Sequence, residues 1–470
     1  MRIALVHYQL TRDGVSSVIA RQARSLKDAG DEVLVIAGEA ETQEAEFGGA
    51  PLAIVPDLCY EAQKEENEAV DRLVSSLLFA MERHWGSVAD IVHVHNPLIR
   101  RNRLLLPALR ILKDRGMKLL LQNHDFAEDF RPDVYHSGAS YIDDVHYAAV
   151  NGRDFSFLRR AGLDAVGTHL LPNAVTALQA KEGLKRTRYL YPVRAMRRKN
   201  IGEALLLSLF IPKGRTVAVT LPPVSEGDAP DYAHWRSLAF KMELPVEFEV
   251  GENATLPELL GTSFCALTTS IKEGFGFSFL EPWTAGRAVI GRRIDYVCRD
   301  FEQSGVRFDS FYNSISIPMV YLPAPLLRHK LEAALALTYR SYDVSLPPYS
   351  LKALTDDLFS RDSFDFGRLD EELQTDVLDT IVSNSAAQAD ILDANPFLAS
   401  LASWEPNENT IEANREKILN AYAPQAAALR LREAYRAVVD HPVRHRLSKS
   451  VLLDLFLDPT KLSLIGLGRD

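Results

Sequence analysis

Phe264-Cys265-Ala266-Leu267-Thr268-Thr269-Ser270-Ile271-Lys272-Glu273-Gly274-Phe275-Gly276-Phe277-Ser278-Phe279-Leu280-Glu281-Pro282-Trp283-Thr284-Ala285-Gly286-Arg287 runs from an apolar segment through a glycine loop into a helical one. Phe264 to Ser270 has the length and composition of a buried strand, and Pro282 to Arg287 reads as a helix opening. Gly274 and Gly276 let backbone approach a ligand closely, and the helix N-terminus beyond them directs N–H groups and a positive dipole end at phosphate. Gly274, Phe275, Gly276, Phe277, Ser278 and Phe279 therefore form a candidate binding loop. Glu273 and Glu281 flank it. Carboxylates only accept hydrogen bonds, so beside a nucleotide sugar their partners are sugar and ribose hydroxyls rather than phosphates.

A plainer reading competes. Ser278-x-x-Glu281 also has the spacing of a capping box, in which Glu281 merely closes the first helical turn. Pro282 would then fall early in the helix and remove its first internal hydrogen bond, so the helix is expected to open nearer Pro282. Spacing alone leaves binding and capping open.

Outward from this loop the chain alternates strand-like and helix-like segments, the pattern of a parallel sheet covered by helices. Arg2 to His7 is an apolar run, Val15 to Ala29 has apolar residues at helical spacing, Gly30 stops that helix, and Glu32 to Ala37 is the next strand. Asp90 to Pro97 and Lys118 to Gln122 are buried strands that end in polar groups. Ligands in open α/β sheets gather outside the carboxyl ends of strands, so His95, Asn96, His124 and Asp125 point to one crevice. His93, inside its strand, reads as a satisfied core residue.

The second half repeats the theme. Arg188 to Val193 is a strand, Ile201 to Phe210 is helical, and Arg194-Ala195-Met196-Arg197-Arg198-Lys199 between them concentrates cations where a diphosphate clamp or a basic surface turn would lie. Val217 to Leu221 and Val246 to Val250 are further strands, and Leu256 to Leu260 is a helix. Leu322 to Leu401 is mostly helical in pattern, an inserted elaboration with no function legible in it.

The chain as a whole resembles the retaining glycosyltransferases of family 4, whose E-x7-E motif is matched by Glu273 and Glu281. The resemblance implies a GT-B fold, an α/β architecture of two Rossmann-like parallel-sheet domains facing a cleft, with the helical insertion in the C-terminal half. It implies transfer of a sugar, with retention, from a nucleotide diphosphate sugar to a hydroxyl acceptor. Arg194 and Lys199 match the family's diphosphate-holding Arg and Lys, His124 its histidine near the donor sugar, and Gly14 one of two glycines near the donor phosphates. Asp13 stands where the other glycine is usual. Asp125 joins the donor side, and His95 and Asn96 remain acceptor-side candidates. Arg197 and Arg198, between the matched cations, are expected to be exposed. The implied domains are 1–180, 186–413 with the insertion at about 322–401, a closing helix at 414–440 that braces the N-terminal domain, and a tail at 441–470.

Composition narrows the partners. The 470 residues are too many for one ordinary core, while 47% hydrophobic and 25% charged content are those of a globular protein. A net charge of -10 argues against a general nucleic-acid binder. Leu98 to Lys118 runs against that balance with a local charge of +6, which suits a solvated helix face, an anionic acceptor or peripheral contact with an anionic membrane. Cys59, Cys265 and Cys298 suggest neither disulfides nor a zinc cluster, and a cytoplasmic location is expected. Met1 to Ala37 does not read as a signal peptide, and no run reaches the roughly 20 apolar residues of a membrane span. No cofactor and no metal are expected, because fixed cations and helix dipoles stand where a leaving diphosphate would need neutralising. The acceptor is expected to be small and polar, such as a sugar, a sugar phosphate or a glycerate-like acid. A non-catalytic sugar-nucleotide-binding protein, or a phosphorylase or epimerase on the same fold, is the alternative. Oligomeric state is not legible.

Overall fold

The computed structural model describes residues 1–11, 14–41, 44–60, 67–99 and 101–467. The chain forms two compact units, Met1–Val175 with Asn420–Leu457, and Thr176–Leu419 with the segment from Asp458 onward.

The first unit holds a seven-stranded sheet of β1 (Arg2–Leu10), β2 (Glu32–Ala40), β3 (Leu52–Ile54), β4 (Ile91–His95), β5 (Leu119–Asn123), β6 (His146–Ala149) and β7 (Thr168–Leu170). Their order is β3-β2-β1-β4-β5-β6-β7, with neighbours parallel. Parallel strands need crossover connections, and the crossover helices cover both faces, so each strand is apolar on both sides. β1 shows the alternation directly. Ile3 and Leu5 join Ile19 and Leu26 of the helix Gly14–Asp28 and Leu431 and Tyr435 of the helix Pro424–Asp440. Ala4 and Val6 face the other way, into Leu73 and Leu77 of the helix Asn67–Trp85 and Leu105 and Leu109 of the helix Leu105–Asp114.

The second unit repeats the plan in a six-stranded sheet of β8 (Arg188–Arg194), β9 (Thr216–Leu221), β10 (Val246–Glu247), β11 (Ser263–Thr268), β12 (Val289–Arg292) and β13 (Phe311–Tyr312). The order is β10-β9-β8-β11-β12-β13, again parallel. β10 stops short of the expected Val250, and Glu249 takes a positive φ of 61° there. The elaboration at 322–401 is helical, with Ala324–Ser341, Pro348–Phe359, Glu371–Ser383, Ser385–Ala394 and Pro396–Leu401 as its helices. It also contributes β15 (Ser363–Asp365), paired antiparallel with β14 (Ser316–Pro318).

The C-terminal part differs from the expected single closing helix and tail. Residues 414–440 belong to two helices, Glu408–Tyr422 and Pro424–Asp440, because Pro424 has no N–H with which to continue the first. The presumed tail forms the helix Lys449–Phe456, whose Leu452 and Phe456 enter the first unit's core. The chain then rejoins the second unit, where Leu464 N donates to Arg368 O at 2.9 Å.

The basic stretch is not one helix either. Only Leu105–Asp114 is helical, with Leu105, Leu106, Ala108, Leu109 and Leu112 buried. Arg110 donates to Ser140 O at 2.6 Å, beside a cavity of about 490 Å³, and Arg101 stands 3.9 Å from Asp133. Arg100 lies outside the described residues, as does Asp13. Among the described residues no helix is long and apolar enough to cross a membrane.

Candidate functional site

Strand order in the second unit reverses between β8 and β11, and the crevice outside the carboxyl ends at such a reversal is where open α/β sheets bind ligands. Two loops leave the sheet there. The loop after β8 makes a short turn, Arg197–Lys199, and the loop after β11 carries Glu273. Lys199 Nζ donates to Glu273 Oε1. The two side chains are only 10% and 9% exposed, so the pair is largely withdrawn from water. The backbone around it is pinned: Lys199 O accepts from Tyr191 OH at 2.7 Å and from Thr269 Oγ1 at 3.0 Å. The Tyr296 hydroxyl accepts from Glu273 N at 3.2 Å and donates to Glu273 O at 2.6 Å. Burial by itself would raise the Glu273 pKa, but the charges of Lys199 and Arg198, with hydrogen bonds from Lys199 and Ser270, outweigh it and hold the carboxyl below its ordinary value.

Arg194 closes β8, half-buried, with Nη1 donating to Pro222 O at 3.1 Å. Arg197 departs from the expected exposure. Its side chain is 13% exposed because Glu371 takes it in a two-point contact, Nε to Oε1 at 2.5 Å and Nη2 to Oε2 at 2.9 Å. Arg198 is half-buried.

The glycine loop ends sooner than its proline suggested. The helix runs Phe277–Thr284 with Pro282 inside it, which corrects the expectation that it opens near Pro282. Gly276 is the N-cap at φ 93°, a conformation natural to glycine, and a Cβ there would lie 3.0 Å from Val297 Cγ1. Only two turns long, the helix tolerates the N–H that Pro282 lacks. Ser278 and Glu281 are thus the second and fifth helical residues, and no side chain caps the helix, so the capping-box reading of this pair fails. Glu281, Phe277, Ser278 and Gly274 are half-buried around the loop. Phe275 packs against Phe301, and Phe279 against Phe308 and Phe311. Both rings anchor the loop in the core.

Beneath the turn lies a polar network that local spacing did not reveal. Asn200, fully buried and left-handed at φ 53°, donates through Nδ2 to Glu203 Oε2 at 2.8 Å and accepts at Oδ1 from Gln374 Nε2 at 2.9 Å. Glu203 also takes Arg292, Nε at 2.8 Å and Nη2 at 2.6 Å, and Tyr312 OH at 2.5 Å. Arg292 in turn bridges to both oxygens of Asp365 at 2.8 Å. Asn200-x-x-Glu203 has capping spacing and was findable, whereas Asp365, Glu371 and Gln374 come from the distant elaboration.

The first unit reverses its strand order between β1 and β4, and there the groups are histidines. His95 Nδ1 lies 2.9 Å from His124 Nε2, their rings stacked at 5.2 Å. His7, not singled out from sequence, ends in contact with His95 O at 3.1 Å. His95 is fully buried, and so is Asn96 nearly, at φ 53° with its Oδ1 accepting from the backbone N of His124 at 2.7 Å. Both were expected on the acceptor side; here His95 and Asn96 each contact His124, and Asn96 and His124 are equally buried. Asp125 stands 3.7 Å from Arg131, and Gly14 opens its helix exposed, with open space around its Cβ position. His93 is a core residue bonded to Tyr435 OH at 2.8 Å; burial and the charge of His124 push its pKa down to about 3, so its ring is neutral. His95 is held lower than usual by burial and by His93, His124 and His7.

Comparison with known proteins settles the architecture. Anabaena HepE in complex with UDP and glucose superposes with a TM-score of 0.55 at 12% identity, covering 93% of this chain and 100% of that one. Sucrose-phosphate synthase from Thermosynechococcus elongatus does so at 0.54 and 13%, covering 93% and 98%. The chain has the GT-B fold. A mannosylglucosyl-3-phosphoglycerate synthase from Petrotoga mobilis is similar in sequence, 25% identical over an alignment of 413 residues, with 79% of this chain and 79% of that one covered. No protein-family model matches. Within the GT-B fold, both reversal points carry the groups described above, one set in each Rossmann-like domain.

Proposed function

We propose that the protein is a retaining glycosyltransferase of the family 4 kind, which moves a sugar from a nucleotide diphosphate sugar to a hydroxyl of a small polar acceptor without a metal. The observation that carries this reading is the buried Lys199–Glu273 pair at the strand-order reversal of the second domain. A cation and a carboxylate side by side suit a ligand that joins a diphosphate to a hydroxyl-bearing sugar. In the reaction the bond from the anomeric carbon to the diphosphate breaks, the acceptor oxygen bonds that carbon on the same face, and the acceptor proton passes to the departing diphosphate oxygen. The negative charge that develops on the leaving diphosphate falls to Lys199, Arg194 and the helix that opens at Phe277. Glu273 positions the transferred sugar, Glu281 the ribose, and His124, its ring fixed by His95, is the first domain's group for the donor sugar. The name of the Petrotoga relative favours an acceptor in the class of glycerate-like acids or their glycosides.

The test is a thermal-shift screen against UDP, GDP, ADP and their sugars, followed by donor depletion with candidate acceptors. A ligand at 100 times its dissociation constant adds about 2.7 kcal/mol, a readily visible shift. No shift with any of the three would remove the reading. EDTA is expected to leave transfer unchanged; loss restored by magnesium or manganese would overturn the metal-free part alone.

A further inference from the structure

The helix Glu371–Ser383 belongs to the elaboration to which no role attaches from sequence, yet it grips the turn that carries Lys199 from both sides. Glu371 holds Arg197, two residues before Lys199, and Gln374 holds Asn200, the residue after it. Glu371 and Gln374 are three apart and so share one helix face. Gln374 is fully buried, and its Nε2 also donates to Phe366 O at 3.1 Å. The fit extends to Gly202, where a Cβ would collide with Gln374 Oε1 and with the Trp235 ring. The helix is itself fixed at its start. Asp370 caps it by accepting from Leu373 N at 3.1 Å and receives Lys330 Nζ at 2.6 Å. Just upstream, Arg368 Nε donates to Leu462 O at 2.9 Å, and Arg197 Nη1 reaches Leu467 O, so the returning C-terminal segment closes the same cradle.

We infer that Glu371 and Gln374 are positioning residues that set the Lys199 ammonium against Glu273 and against a donor diphosphate. Neither residue touches the ligand; both act through the backbone of the turn. Left-handed Asn200 is the vulnerable point, because a non-glycine residue keeps that conformation only where its surroundings hold it. Gln374 supplies the hydrogen bond to one end of the Asn200 carboxamide, and Glu203 takes the other. The inference about the diphosphate rests on the donor reading above, whereas the grip on the turn does not.

The experiment uses the full chain with Gln374→Met, which keeps volume and deletes the hydrogen bond, and Glu371→Gln, which keeps shape and deletes the charge. Amide hydrogen exchange of the ligand-free protein is expected to rise about tenfold in residues 196–203, the scale of one lost hydrogen bond, and to stay unchanged in β1 and β4. Unchanged exchange in 196–203 in both variants overturns the inference whatever the ligand. Isothermal titration with UDP, GDP and ADP then reads the consequence. Affinity for the nucleotide that wild type binds is expected to fall about fivefold to tenfold in Gln374→Met, and to fall no further when Gln374→Met is added to Lys199→Ala. Additive losses in that cycle overturn the positioning role, since a merely structural residue would weaken both backgrounds alike. Should wild type bind none of the three, the donor reading fails, and the exchange result still decides whether the helix holds the turn.

Discussion

The two Rossmann-like domains place their chemistry at the same topological point and build it from opposite materials. The first gathers His7, His95 and His124, imidazole rings joined by hydrogen bonds and stacking, with His95 held lower than usual by burial. The second uses Lys199, Glu273, Glu203, Arg292 and Asp365, charges paired out of water. The difference follows from what each set can do. Imidazoles in a buried cluster offer directional hydrogen bonds, which on the proposed reading suit an uncharged sugar, while the diphosphate of that reading calls for fixed positive charge already stripped of water. It also predicts how each domain fails.

The largest effect is expected from Arg292→Met. Arg292 neutralises Glu203 and Asp365, and its removal strands two carboxylates, one of them fully buried. Breaking one side of such a pair costs about 3–5 kcal/mol. Urea denaturation followed in the second domain should show it, and a cost below 1 kcal/mol would mean that these charges are already solvated.

Lys199 and Glu273 come next and divide the two jobs. Lys199→Ala should raise the barrier to transfer by about 2–4 kcal/mol, as for the loss of one preorganised donor. Glu273→Gln should abolish transfer yet leave nucleoside diphosphate binding in place, because on the proposed reading Glu273 addresses the sugar and not the diphosphate, and Gln still offers the Lys199 ammonium an acceptor. Equal loss of nucleotide affinity in Glu273→Gln would show that Glu273 does not address the sugar.

How much of this was open to a reader of the sequence depends on distance along the chain. The central strands of both sheets were legible, since runs such as Ile3 to Val6 and Ile91 to Val94 are strand-length and apolar on both sides, as parallel strands must be, whereas short strands such as β3, β7 and β13 carry too few residues to show that pattern. Glu273 and Lys199 were legible as motif members, and the helix start was misjudged only because a short packed helix overrode the usual penalty on Pro282. Gln374 and Glu371 were not legible at all. They meet Asn200 and Arg197 across 174 residues, and no local spacing encodes a contact made by tertiary packing. The full burial of His95 against His124 is likewise invisible to a pattern that reads only strand ends.

Acid should separate the domains. Histidines whose folded pKa is depressed bind fewer protons than the unfolded chain, so their contribution is lost as pH falls from 6.5; His93 is pushed down to about 3 and His169 to about 4, both chiefly by burial. Each costs about 1.4 kcal/mol per pH unit within its window. Glu128, raised to about 7 by burial, works against them between 4.5 and 7, and Asp154, also raised by burial, works the same way; they are two groups against four histidines, His95 and His146 included. In the second domain Glu273 is depressed, so its contribution persists until pH falls below 4.5, and Glu203, raised by burial, shifts the balance the other way. Hydrogen exchange at pH 6.5, 5.5 and 4.5, corrected for intrinsic rates, should show the first domain weakening and the second holding. Parallel weakening would erase the contrast.

His95→Met probes the histidine side at its centre and should have the smallest effect on stability. Side-chain volume changes little, and one hydrogen bond, His95 Nδ1 to His124 Nε2, is lost, worth about 0.5–1.5 kcal/mol. In partial compensation the His95 Nε2, buried with no hydrogen-bond partner among the described residues, disappears with the substitution, and burying such an atom itself costs about 1–3 kcal/mol. The two terms oppose each other, so the net cost in urea denaturation should stay below about 1 kcal/mol. What the variant removes is the fixed orientation of His124, so donor-sugar affinity should drop while free nucleoside diphosphate affinity does not. A cost of 3 kcal/mol or more, the scale of Arg292→Met, would mean that His95 carries a charge or a partner its burial argues against. The first domain's site would then be ionic like the second's.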